Sequence, residues 1–235
     1  MKNNTRILIG FLSIIILVFL QLAFTYQLQS NILENTMQIK DVEAPLEVMA
    51  ERGAGYNIML IEEVHGALLH AQQGEYSDVE EHKAVYNNLD LDEKELRKNA
   101  IILLGQSKIP LQTKNQIEEQ LKTIDEFNLK LIELERKGFE EIDKKELKTA
   151  NSFLIGGNHK IYKNELFLAY SNWAKIQQEL TLTTSKNILN DSQKIIYLNL
   201  GISIVIMIMV IITLFIIRSF VAEKYSQKEK GKFKR

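Results

Sequence analysis

Two uncharged apolar runs, residues 7–26 and 198–217, bracket this chain. Each is about 20 residues, the length an α-helix needs to cross the hydrocarbon core of a bilayer. Lipid offers no hydrogen-bond partners, so such a segment has to satisfy its backbone internally, as a helix. The first run is longer than the apolar core of a signal peptide, and no A-x-A-like cleavage site follows it. It therefore reads as a retained anchor. Charge orients the two spans. Residues 1–6 carry +2 and residues 218–235 carry +5, against −1 for the whole chain, which leaves −8 between them. Positive flanks stay on the cytoplasmic side, which places both termini inside. The expected organisation is a cytoplasmic N-terminus (1–6), a first transmembrane helix (7–26), an extracytoplasmic domain (27–197), a second transmembrane helix (198–217) and a basic cytoplasmic tail (218–235). The tail also suits contact with anionic headgroups of membrane lipid.

The outer segment has to be held by packing alone, because the chain has no cysteine. With only Pro45 and Pro110 as prolines, and many Leu, Glu, Lys and Ile residues, it favours long helices. From Ile155 a mostly apolar stripe runs through His159, Tyr162, Leu166, Ala169, Trp173, Ile176 and Leu180. Its steps alternate between four and three, which is a heptad seam. The seam is expected on one continuous helix over 144–217 that begins in water and ends as the second span. Three further helices follow from apolar period and end signals. The first runs to about Gln73, interrupted by Pro45 and stopped at Gly74. The second starts at a capping box, Ser77-Asp78-Val79-Glu80, and carries Val79, His82, Tyr86 and Leu89 on one face. The third has Ile117, Leu121, Ile124, Asn128 and Leu131 at heptad steps and ends between Gly138 and Ile142. Asp143 then caps the fourth. Short connections make the fold all-α: a membrane-anchored, antiparallel up-down four-helix bundle between two transmembrane helices. Helix lengths put the four-helix part on a two-helix stalk, with Pro45 near the junction. Leu180, Ile188 and Leu189 would stay open in a monomeric stalk and point to a homodimer.

This pattern resembles the extracytoplasmic four-helix-bundle sensor module of methyl-accepting chemotaxis receptors and related sensor kinases. The shared features are the first span, the bundle, and a last helix continuous with the second span. Residues 142–162 resemble that family's start of the fourth helix: an acidic cap, then Ala150, Leu154 and an aromatic. Ile217-Arg218-Ser219 looks like the first residues of the linker after the second span. The resemblance implies sensing of a ligand, with a transducer or histidine kinase as cytoplasmic partner. It also suggests a ligand carboxylate for Arg52, as in amino-acid-sensing members. In that family a relay module and a kinase-controlling coiled coil follow the second span. Here 18 residues follow Ile217. The expectation is an input module that signals through a separate cytoplasmic protein, or a decoy or remnant.

Mirroring the helices at about 1.5 Å per residue brings His65, His82 and His159 to one level from three helices, with His70 nearby. Imidazole is a common metal ligand, and its second nitrogen needs an outer partner. Glu62, Glu63 and Glu81 are close in sequence. Glu62-x-x-His65 has the spacing of di-iron bundles, but the second such motif is missing. Three readings stay open: hydrogen-bonded bundle positions, a metal or haem site, or part of an organic-ligand pocket. The candidate ligand-binding residues are therefore His65, His82, His159, Glu62 and Arg52; nothing in the sequence names a metal or a cofactor. Small residues, among them Gly53, Gly66, Gly156 and Gly157, suit close helix packing or room for a ligand.

No catalytic set is found. There is no Gly-rich phosphate loop. A Cys/His pair needs cysteine, and no Ser/His/Asp arrangement fits helices this regular. The acidic outer segment gives no basic stripe for nucleic acid. The expected function is non-enzymatic: a receptor-like sensor input module that binds a small ligand or a partner outside the cell. The alternatives are a structural or accessory subunit bound to another membrane protein, and a metal-binding helical bundle.

Overall fold

The computed structural model describes residues 2–232, and every regular element among them is helical. In order these are α1 (Lys2–Gln38), a π-helical turn (Ile39–Glu43), α2 (Ala44–Gln73), α3 (Tyr76–Gln106), α4 (Leu111–Asp143), α5 (Leu147–Leu154) and α6 (Gly157–Lys232). The chain divides into two compact units, Met1–Thr36 with Ser185–Arg235, and Met37–Thr184.

In the first unit the N-terminal part of α1 packs against the C-terminal part of α6. Both contain an apolar window long enough to cross a membrane. Their large side chains, including Phe11, Ile15, Phe19, Ile208, Ile212 and Phe215, face outward. Such surfaces are costly in water and compatible with a two-pass membrane protein. Three polar groups in these runs meet across the two helices. Gln21 donates to Asn199 Oδ1 at 2.8 Å, and Thr25 donates to the same oxygen at 3.2 Å. Gly10 lies against Thr213, where a Cβ would come within 3.0 Å of Oγ1.

The second unit shows how the helix ends are made. Pro45 does not break the chain. It sits in the first turn of α2, and the turn before it widens, with the Ala44 N–H bonded to Ile39 O. Proline has no N–H to continue the regular ladder, and a π turn absorbs the mismatch. Gly74 ends α2 with φ 82, a left-handed conformation suited to glycine. The helix ends differ from expectation: Asp143, read as a cap, is the last residue of α4, and two further places change. α3 begins at Tyr76 after Glu75, so Ser77 lies in its first turn and donates to Asp78 instead of capping. The continuous helix expected over 144–217 is broken. α4 runs to Asp143, a turn with Lys145 at φ 64 follows, and α5 is separate from α6. The break falls at Ile155 and Gly156, where a Cβ on Gly156 would overlap the Ser152 carbonyl. Ile155 is consequently exposed, off the seam assigned to it.

Two apolar clusters form the core. One joins Leu46 and Ala50 of α2, Ala100 and Leu104 of α3, Ile117, Leu121, Ile124 and Leu131 of α4, and Leu166, Tyr170 and Trp173 of α6. The other joins Leu60, Val64 and Leu68 of α2, Val79, Tyr86 and Leu89 of α3, Ile142 of α4, and Ala150 and Leu154 of α5. Four long helical segments thus contribute to one interior. Contacts between α3 and α4 pair Arg97 with Asp125, Glu93 with Asn128 and Tyr86 with Glu135. Residue numbers fall on one helix as they rise on the other, so these two run in opposite directions.

Candidate functional site

Between the two apolar clusters lies a belt of buried polar side chains. In chain order it comprises Glu93 and Arg97 on α3, Asn128 and Glu135 on α4, and His159 on α6, all buried. Buried polar groups are tolerated when they are hydrogen-bonded to one another. Glu93 Oε2 accepts from Arg97 Nε at 3.0 Å, Arg97 Nη2 at 2.9 Å and Asn128 Nδ2 at 3.1 Å. Its other oxygen accepts from the Tyr170 hydroxyl. Arg97 also reaches Asp125 on α4. Glu135 accepts from the Tyr86 hydroxyl at 2.5 Å and lies 2.9 Å from His159 Nε2. Burial pushes both glutamates above the usual carboxylate range, in each case against the pull of these partners. Burial, with the adjacent carboxylate, also drives the Tyr86 and Tyr170 hydroxyls far up, so both stay protonated donors.

Outside this belt a groove of about 390 Å³ runs between α2 and α3. It is lined by Arg52 and Tyr56 from α2, by Asp92, Glu95 and Asn99 from α3, and by Pro45, Val48, Met49 and Leu96. It offers one guanidinium, two carboxylates and a short apolar floor, chemistry that suits a small polar molecule carrying both signs of charge. The groove and the belt share neighbours. Gly53, next to Arg52, packs so tightly on the Tyr170 ring that a Cβ would overlap it. Glu93, next to Asp92, holds the Tyr170 hydroxyl. Tyr170 of α6 is therefore gripped by α2 and α3 directly behind the groove.

The residues singled out from the sequence separate into four surroundings. Arg52 lines the groove. Glu62 and His65 are exposed on α2. Burial lowers the His65 imidazole below its ordinary value, and the charges of Lys163 and His159 lower it further. His82 is half-buried, with Nδ1 2.7 Å from Glu63 Oε2, and its ring stands 5.2 Å from that of His70. His159 is fully inside, on Glu135. His70, His82 and His159 each have a different carboxylate partner. Sequence reasoning missed the two hydrogen-bonded sets, Glu93 with Tyr170 and Glu135 with Tyr86. A signal was present: the stripe through Asn128 and Leu131 arrives four residues later at Glu135.

No protein-family model matches this chain, and comparisons with characterised proteins and with solved structures give no match.

Proposed function

We propose that this chain is a membrane-anchored sensor input module. An antiparallel up-down four-helix bundle is held outside the cell between two transmembrane helices, with both termini in the cytoplasm. It receives a small polar ligand in the α2–α3 groove and passes the change along α6 to a cytoplasmic partner. One observation carries this reading: Tyr170, on the helix that continues as the second apolar run, is gripped by Gly53 and Glu93, immediate neighbours of the groove residues Arg52 and Asp92. A ligand that draws α2 and α3 together changes this grip, and a packed interior gives by switching arrangement, not by stretching. Arg52 would take an acidic group of the ligand, and Asp92 with Glu95 a basic one.

The test is thermal stability of the full-length protein in detergent, screened against zwitterionic amino acids and small dicarboxylates. A binding compound raises the melting temperature by mass action. Arg52→Ala should abolish the rise without lowering the ligand-free melting temperature. A screen without a hit, or a hit unaffected by Arg52→Ala, removes the groove from the reading.

A second reading, an accessory subunit that binds another helix, rests on a different observation. Ile161, Leu168 and Leu182 of α6 are all more than half exposed, at multiples of seven residues. Such a stripe suits a second helix, from another copy of this chain or from another membrane protein.

A further inference from the structure

We propose that the turn between α2 and α3 is a binding site for a divalent transition-metal ion, with His70, Glu75 and Asp78 as protein ligands. This site does not depend on the Arg52 groove. Gly74, at φ 82, reverses the chain so that the last turn of α2 faces the first turn of α3. His70 Nδ1 then lies 2.7 Å from Glu75 Oε2 and 3.5 Å from Asp78 Oδ2. One ligand atom from each of the three residues falls within 4.8 Å of the others. An ion bonded at about 2.0–2.2 Å in tetrahedral geometry holds its ligand atoms roughly 3.3–3.6 Å apart. The observed spacing needs only an adjustment of the exposed Glu75 side chain.

The donor set selects the class of ion. One imidazole nitrogen with two carboxylates favours a borderline ion such as zinc, cobalt or nickel; calcium and magnesium prefer oxygen alone. Solvent completes the coordination on the open side. The His70 ring is also placed from behind. The His82 ring stands 5.2 Å away at 33°, seated over Gly66 where a Cβ would overlap it, and fixed by Glu63 at Nδ1. The same three residues could instead act as an electrostatic clamp, acids at a helix start and a histidine at a helix end. The clamp and the metal site make different predictions.

Untagged full-length protein in detergent is titrated with zinc and, separately, nickel by calorimetry near neutral pH. The expected result is one ion per chain, with a rise in melting temperature that a chelator reverses. His70→Gln should weaken binding by about tenfold or more, and so should Glu75→Gln combined with Asp78→Asn. The double variant guards against loosening of the turn by loss of the imidazole. His159→Gln and Arg52→Ala should leave binding unchanged. No stoichiometric binding of either ion overturns the proposal, as does binding that survives both sets of ligand substitutions.

Discussion

His159 on α6 and Glu135 on α4 meet at 2.9 Å, Nε2 to Oε1, with 3% and 1% of their side chains exposed. The second oxygen of Glu135 takes the Tyr86 hydroxyl of α3. One carboxyl thereby ties three helices at the boundary between the two apolar clusters. Removing it outright, as in Glu135→Ala, leaves two buried polar groups without their partner and should cost about 3–5 kcal/mol. Glu135→Gln keeps a polar group in place and should cost less. Equal losses in the two variants, measured by denaturant unfolding, would show that an amide keeps none of these bonds and that the contact needs the carboxyl itself.

Glu135, with Glu93, also sets a pH dependence. Burial raises the folded values of Glu135 and Glu93 above the ordinary 4.5. Between the unfolded and folded values the folded chain holds more protons. Their contribution to stability is full below 4.5 and declines as pH rises through the folded values. His65 works in the opposite sense. Its folded value is lowered from 6.5, so its contribution is full above 6.5 and is lost as pH falls through the folded value. Melting temperature is followed from about pH 4 to about pH 8, a range that spans the ordinary values of both kinds of group. Glu135→Gln should flatten the decline on the rising side, and His65→Gln the acid loss. A wild-type profile in either variant refutes that assignment.

Tyr170 offers a test of coupling behind the groove. Tyr170→Phe removes a donor to a buried carboxyl and should cost about 1.5–3 kcal/mol. Gly53→Ala pushes a methyl into the ring and should cost about 1–3 kcal/mol through overpacking. Combined with Glu93→Gln, Tyr170→Phe should show a non-additive term of at least about 0.5 kcal/mol. Strict additivity would mean that Tyr170 and Glu93 are neighbours without mutual dependence.

Much of the helical framework is legible in the sequence because it rests on period and on local stops. Gly74 stops α2 by a backbone preference that no other residue shares so readily. The apolar positions Ile117, Leu121, Ile124 and Leu131 are all buried, as heptad steps require. What resists reading is set by tertiary choice. Extending the α4 stripe leads to Glu135, yet a charged residue at a seam position looks like the end of the seam until its partners are known. Those partners, Tyr86 and His159, sit on other helices. Ser77 fails as a cap because the tight turn at Gly74 lets Glu75 take the position before the helix. Leu180 is a core residue and not part of an open face, since Trp173, Gln177 and Thr184 are buried on the same side of α6.

The exposed positions of α6 make a homodimer testable. The chain has no cysteine, so single cysteines report without background. Ile161→Cys, Leu168→Cys and Leu182→Cys should each crosslink under oxidation, while Phe167→Cys and Ala174→Cys, turned away from the stripe round the helix, should not. Crosslinks at all five positions would indicate random collision. None at any position, with the protein in its native membrane, would favour a different partner for the stripe.

Charge at the two ends gives a topology forecast. With +2 before the first apolar run and +5 after the second, tags at either terminus should be protected in intact cells. A tag inserted at Gly74, in an exposed turn, should be accessible. Proteolysis of a C-terminal tag in sealed cells would overturn the two-pass arrangement.

The polar contact among the apolar runs gives the last forecast. Asn199 Oδ1 accepts from both Gln21 and Thr25, and lipid can replace neither bond. Asn199→Leu therefore leaves the Gln21 amide without a partner and should weaken helix association by about 0.6–1.7 kcal/mol, the range of single polar contacts between membrane helices. Adding Gln21→Leu removes the stranded amide and should restore much of the loss, since Thr25 can bond its own backbone. The readout is local. Gly10→Cys and Thr213→Cys introduced together sit where the two helices touch, and their disulfide yield in native membranes reports how firmly the helices pair. Yield should fall with Asn199→Leu and recover in the double substitution. An undiminished yield in the single variant would mean that apolar packing alone holds these helices and that Asn199 only satisfies itself.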